Sequence, residues 1–370
     1  MLGNRELVLD RFCEVYDLLK PWMDFEFYDL ANHKLSDNAI YLVGRKQFTD
    51  YAWLIKEQSK HCVFVLSNPH EGSETLKSQC NRLGYDELVK NSQILLIGGG
   101  DMESDYPCLQ YDSFLPKILD YSENIDAQQH TEEIFQKSNK PYKFLFLNGR
   151  IRSHRKYLLE QFRLSGLLDQ SLWSNLDSNS AAGRGLTHPC MNTTSLTKSL
   201  PPEYEVSKYR ASNINTDDHY KKYTLFNNEW GEIYLEPRAY IDTYFSLVTE
   251  TVFDYPYSFR TEKIWKPIAI GHPFIVVANA GYYQDLHKLG FKTFGHVIDE
   301  SFDLIEDNQL RIERITQVVE DLCQQDLAKF LEECYTICKY NQQHLAAMRT
   351  KVRQEFPDRF FQFISKYINE

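Results

Sequence analysis

The sequence predicts an α/β protein built of two Rossmann-like domains, and three observations lead there. Short apolar runs alternate with stretches of helical periodicity on both sides of a polar segment at residues 127–141. That alternation is the pattern of a parallel, doubly wound sheet. The chain has 370 residues, too many for one ordinary core and enough for two. The polar and charged residues collect just after the apolar runs, at the carboxyl ends of strands, where ligands of such folds bind.

In the first half, residues 5–19 carry apolar side chains at helical spacing (Leu7, Leu9, Phe12, Val15, Leu18, Leu19), which predicts a helix. Residues 25–28 and 39–43 read as strands, and residues 48–55 as a helix. Residues 61–66, HCVFVL, are a buried strand followed by a polar loop at 67–72. A helix then begins at Ser73 or Glu74 and runs to about Leu83, with Gly84 as its stop. Residues 93–97 form another buried strand that ends in Gly98-Gly99-Gly100-Asp101. This glycine run has neither the dinucleotide spacing nor a P-loop lysine, and it suits a tight turn.

Residues 127–141 are polar and end in Asn139-Lys140-Pro141, which reads as the approach to a linker and places the domain boundary near Lys140. The expected domains are therefore 1–140 and 141–355. The second opens with a strand at 142–147, then Asn148-Gly149-Arg150, Arg152-Ser153-His154-Arg155 and a helix at 156–164. Residues 177–230 are rich in Ser, Asn, Thr and Lys without a period, which fits an insertion over a site or a disordered loop. The C-terminal region is helical, and Pro357 is expected to set off a last helix at 356–370. Phe360, Phe361, Phe363 and Ile364 give that helix an apolar face.

Bulk properties exclude several classes. A formal net charge of −11 does not suit a protein that coats nucleic acid or an anionic membrane. Aromatic residues make up 14% of the chain, most of them expected in cores and some in grooves where sugar rings stack. The eight cysteines (Cys13, Cys62, Cys80, Cys108, Cys190, Cys323, Cys334, Cys338) form no CxxC pair and no zinc set, so reduced thiols and a cytoplasmic location are expected. No apolar run is long enough to span a bilayer, and residues 1–20 carry no signal-peptide pattern.

The most informative stretch is residues 244–302. An apolar run, 245–248, ends in the acid Glu250; a polar loop leads to Thr261-Glu262-Lys263, which opens an apolar helix. The helix stops at Gly271, and 273–277 begin a second buried strand. This is a βαβ unit with its polar residues at one end. The segment resembles the donor-nucleotide motif of the fucosyltransferase-like glycosyltransferases: an apolar strand ending in an acid, a loop, Thr-Glu-Lys, a helix, then Gly-x-Pro and a buried strand. The polar stretch Ile298-Asp299-Glu300-Ser301-Phe302 after the second strand is similar too. The resemblance covers about the last third of the chain. It implies transfer of a sugar from a nucleotide donor in a GT-B fold, two domains facing each other across a cleft with the last helix crossing back to the first.

The residues that such chemistry needs are present. A leaving diphosphate is stabilised by cations and helix N-termini, or by a metal. No acidic metal motif stands out at a strand end, and Asp217-Asp218 lies in the polar insertion, so neither a metal nor a cofactor is expected. Asn148, Arg150 and Arg152 follow one strand; Glu250, Arg260, Thr261, Glu262 and Lys263 follow another. These eight are the expected nucleotide-sugar site. Arginine suits bidentate phosphate contact and lysine acts as a point charge. Glu262 or Glu250 is suited to ribose hydroxyls, although Glu262 also fits a helix-start acid and Thr261 an N-cap. Tyr255 and Tyr257 could stack on the base or be ordinary loop aromatics.

An inverting transfer needs a general base from the facing domain. Glu71 is the first candidate and Asp101 the second, with His70 and Glu74 behind them. The expected acceptor is a glycan or another hydroxyl compound. The alternative function is a nucleotide- or sugar-binding module without catalysis, which keeps Glu262 and Lys263 and needs no base.

Overall fold

The computed structural model describes residues 6–10, 15, 19, 26–28, 30, 35–37, 39–68, 75–100, 106–116, 118–119, 127–150, 152–177, 198–204 and 235–368. The protein is a mixed α/β molecule with two sheets of parallel strands. It divides into two compact units, residues 1–113 with 349–370, and residues 114–348.

The first unit holds β1 (Glu6–Asp10), β2 (Glu26–Tyr28), β3 (Ala39–Gly44), β4 (Val63–Asn68), β5 (Ile94–Gly98) and β6 (Cys108–Gln110) in the order β2-β1-β3-β4-β5-β6. Helices α1 (Arg45–Asp50), α2 (Ala52–Gln58), α3 (Leu76–Leu83) and α4 (Asp86–Lys90) join these strands. Strands β3, β4 and β5 are buried on both faces, as parallel strands between helical layers must be. One face carries Tyr41, Phe64, Leu66, Ile94 and Leu96 with the helices above. The other carries Ile40, Leu42, Val65, Leu95 and Ile97, packed against Phe356, Phe360 and Ile364.

Three sequence expectations change here. Residues 6–10 form the strand β1 instead of a helix; it pairs with both β2 and β3, and five residues of mixed apolar pattern cannot separate strand from helix. The segment at 127–141 is largely a helix, α5 (Ala127–Gln136), within the second unit. The division accordingly falls at Ser113 and Phe114 instead of Lys140. Finally, the last helix does not break at Pro357. It runs unbroken from Leu327 to Ile368, with its residues from 349 onward in the first unit. Losing one backbone hydrogen bond at proline is offset by burying Phe356, Phe360 and Ile364.

The second unit holds β7 (Tyr142–Arg150), β8 (Leu172–Asp177), β9 (Thr243–Thr249) and β10 (Phe274–Val277) in the order β10-β9-β7-β8. With α5, helices α6 (Ser153–Leu164), α7 (Pro237–Ile241), α8 (Glu262–Ile270), α9 (Tyr282–Lys288), α10 (Asn308–Leu322) and the part of α11 (Leu327–Ile368) before residue 349 complete it. After β7 the chain moves outward to β8, then returns to lay β9 on the other side of β7. The adjacent carboxyl ends of β7 and β9 are therefore a topological switch point, where open α/β sheets bind ligands. Phe144 and Phe146 on β7 and Phe245 on β9 share the face that α6 covers through Phe162. Most of the expected insertion at 177–230 lies outside the described residues. Within it, Lys198 bridges to Asn175, and the Tyr204 hydroxyl donates to Asp242 at 2.8 Å.

Helix α8 ends at Gly271, φ +69°, against α5. A Cβ there would lie 2.6 Å from Thr131 Cγ2 and 2.8 Å from Thr131 Oγ1. That hydroxyl donates to Ile270 O at 2.8 Å and accepts from Gln342 Nε2 at 2.6 Å. Gly271→Ala should lower stability by about 1–3 kcal/mol from the left-handed backbone alone, and by more from the contact with Thr131. Urea denaturation of the variant reads this directly, and a parent-like midpoint would contradict it.

Candidate functional site

The site is built on the ends of β7 and β9. Strand β9 leads into Glu250, whose side chain is 0% exposed. Its carboxylate accepts from the Thr261 backbone N–H at 3.1 Å, the Thr261 hydroxyl at 2.6 Å and the Tyr282 hydroxyl at 3.1 Å. Its backbone carbonyl accepts from His154 Nε2 at 2.9 Å and Arg155 Nη2 at 3.1 Å. Burial pushes the Glu250 pKa up, against the Lys263 charge and the Thr261 hydrogen bonds. The expectation that Glu250 meets ribose fails on these contacts, because its oxygens are sealed and engaged. It positions the start of α8 instead.

Thr261 is corrected in the same way. It is the N-cap of α8 and is 1% exposed. Its hydroxyl donates to Glu250 and accepts from the Lys263 backbone N–H at 3.4 Å and from Lys263 Nζ at 3.1 Å. One proton and two lone pairs are thereby used. Arg260, one residue earlier, is 2% exposed, so it lies within the protein instead of facing solvent as a phosphate ligand would.

Glu262 and Lys263 do come together at the α8 N-terminus. Lys263 Nζ lies 2.7 Å from Glu262 Oε1, 3.1 Å from Thr261 Oγ1 and 3.2 Å from Thr251 Oγ1. Burial alone would raise the Glu262 pKa; the charges of Lys263 and Lys266 outweigh it and hold the carboxyl below its usual range. The Lys263 side chain is 23% exposed, so its ammonium borders solvent.

On β7, Asn148 is 1% exposed and stands in register with Asn175 of β8. Its Oδ1 accepts from the Thr249 hydroxyl at 2.8 Å, while its Nδ2 is buried without a hydrogen-bond partner among the described residues. An orphaned buried donor costs about 1–3 kcal/mol. Asn148 follows Phe144 and Phe146 at the alternating positions of β7 whose face α6 covers. Helix α6 starts at Arg152, which makes no side-chain cap, and its first turn holds no acid. Arg152 is half-buried. Arg150 is the last residue of β7, in register with Asp177, and its side chain lies outside the described part. Arg155 is 2% exposed and donates to the Thr249 and Glu250 carbonyls at 2.9 and 3.1 Å.

Three important residues carry no legible role in the sequence. His154 stacks on Phe253 with ring centroids 5.3 Å apart, and burial pulls its pKa well down, so it is neutral with the proton on Nε2. Tyr282 reaches Glu250 from 32 residues away. Arg311 donates to the carbonyls of Phe253, Ala278, Ile305 and Glu306 and tethers the loops after β9 and β10. Local periodicity shows none of these contacts, because most of the partners lie tens of residues away along the chain.

Of the remaining candidates, Tyr255 and Tyr257 pack edge to face at 5.4 Å in the β9–α8 loop. Glu71, Asp101, His70, Glu74, Asp217 and Asp218 lie outside the described residues. Among the described residues no His, Cys, Asp and Glu group could hold a metal ion, and no helix is long and apolar enough to cross a membrane. Six described cysteines are free thiols. Ser246 and His272 stand 2.9 Å apart, but His272 is 1% exposed, bonds the Thr243 carbonyl and is pushed down to about 3 by burial, so this pair braces β9.

The polar stretch after β10 is a closed loop. Glu300 accepts from the Thr293 hydroxyl at 2.7 Å and the Phe294 backbone N–H at 2.6 Å. Burial pushes its pKa up to about 7. A carboxyl raised on folding contributes stability fully below its unfolded value near 4.5, and that contribution is lost as pH rises through about 7. Glu300→Gln should flatten the decline of stability across that window in urea titrations. An unchanged slope would assign the titration to another group.

Compared with known proteins, the chain matches no family model, and no curated sequence or solved structure matches it significantly.

Proposed function

We propose that the chain is a glycosyltransferase that moves a sugar from a nucleotide-sugar donor to a glycan or other hydroxyl acceptor, inverting and metal-independent. The observation that supports this best is the convergence of two helix N-termini, α6 and α8, at the switch point of the second sheet. His154 and Arg155 of α6 bond the Glu250 carbonyl and Thr261 bonds its carboxylate, with Arg152 at the first helix start and Glu262 and Lys263 at the second. Cations and N–H donors at two helix starts suit a diphosphate, and a neighbouring carboxylate suits sugar hydroxyls. On this reading the two units are the acceptor and donor halves of a GT-B enzyme.

The step is a displacement. The acceptor oxygen bonds to the anomeric carbon, and its proton passes to a base in the first unit, Glu71 first and Asp101 second. The bond from that carbon to the diphosphate breaks, and the electron pair leaves with the nucleoside diphosphate. Arg152 and Lys263 offset the charge that develops there.

Lys263→Ala should weaken nucleoside diphosphate binding by about 1.5–3 kcal/mol, the range for a hydrogen bond to a charged group, and Arg152→Ala should act alike. Calorimetry across the four common ribonucleoside diphosphates, with folded variants, tests this; unchanged affinities would reject the site. Donor turnover should also survive EDTA, because side-chain cations serve the leaving group. Loss of turnover that manganese restores would overturn the metal-independent reading.

A further inference from the structure

The ammonium of Lys263 has three protons and three acceptors already: Glu262 Oε1 at 2.7 Å, Thr261 Oγ1 at 3.1 Å and Thr251 Oγ1 at 3.2 Å. A phosphate oxygen can take this lysine only by displacing one of them. Thr261 is locked in the Glu250 clamp. Glu262 is the acceptor whose release frees the most charge, yet it is 7% exposed and has no other salt-bridge partner among the described residues. Stripping a nearly buried carboxylate of its cation is costly unless new donors reach it.

We infer that the Glu262–Lys263 pair is a latch that makes the site discriminate nucleoside diphosphates against inorganic diphosphate. This rests on the donor-site reading above and specifies which ligands that site admits. Inorganic diphosphate can draw Lys263 away, but it leaves Glu262 without its only salt-bridge partner among the described residues, with the Lys266 charge and a backbone N–H as its remaining support. A nucleoside diphosphate draws Lys263 to its phosphates and presents ribose hydroxyls to Glu262 in exchange. The same pair also keeps Lys263 neutralised when no ligand is bound. Discrimination here arises from the cost of an unmet polar group and requires no steric block.

Calorimetry with inorganic diphosphate and with the four ribonucleoside diphosphates tests the latch. Glu262→Gln should tighten inorganic diphosphate by about tenfold, the equivalent of one charged hydrogen bond no longer surrendered. The same variant should bind nucleoside diphosphates no tighter than the parent, so the preference for them shrinks. The gain must depend on Lys263: in a Lys263→Met background, Glu262→Gln should change inorganic diphosphate affinity by less than about twofold. An equal gain in both backgrounds would show long-range repulsion instead of a latch and overturn the inference, as would no gain at all. Glu262→Ala repeats the test if the glutamine variant melts early. If Lys263→Ala leaves nucleoside diphosphate affinity unchanged, the donor-site reading itself falls. If that affinity drops while Glu262→Gln gains nothing, only the latch falls.

Discussion

The second unit depends on a carboxylate that water does not reach. Burying Glu250 ionised would cost several kcal/mol without partners. Here two donors from Thr261 and one from Tyr282 meet its oxygens, while His154 and Arg155 hold its carbonyl. Five bonds from three separate segments thus converge on one residue at the end of β9. They fix where α8 begins, and so where Glu262 and Lys263 stand. Hydrogen bonds are directional, which suits a residue whose task is to place others.

The clamp also separates the cations by role. Arg155 and Arg311 are buried and spend their donors on backbone carbonyls at the ends of β9 and β10. Burial draws Arg311 down to about 10, which still leaves it charged at neutral pH. Such arginines satisfy carbonyls that the ends of short parallel strands leave unpaired. Arg152 is half-buried and Lys263 borders solvent at the helix starts, where an anion is favoured.

Topology supplies the location. In the order β10-β9-β7-β8, the crossovers leave β7 in opposite directions, which opens a crevice between the carboxyl ends of β7 and β9. Asn148 and Thr249 meet across that crevice at 2.8 Å. The buried Asn148 Nδ2 there is a donor without an acceptor among the described residues. In the first unit the same rule places the switch point between β1 and β3, away from β4 and β5, after which Glu71 and Asp101 follow.

The sequence by itself determined the α/β class, most strand positions, the Gly84 and Gly271 helix stops and the cluster from Glu250 to Lys263. Those features follow from local periodicity, cap chemistry and residue type, which a linear chain displays. It did not separate strand from helix at residues 6–10, because a five-residue apolar run satisfies both periods. It misread residues 127–141, because α5 is polar on the face it does not bury against α8. Pro357 signalled a break that long-range packing of Phe356, Phe360 and Ile364 overrides. Within the site, Thr261 and Glu262 differ by one position, yet one is a sealed brace and the other borders the α8 N-terminus. Only the tertiary structure decided that division, because burial and hydrogen-bond partners depend on Tyr282, His154 and Arg155, which reach the same point from distant parts of the chain.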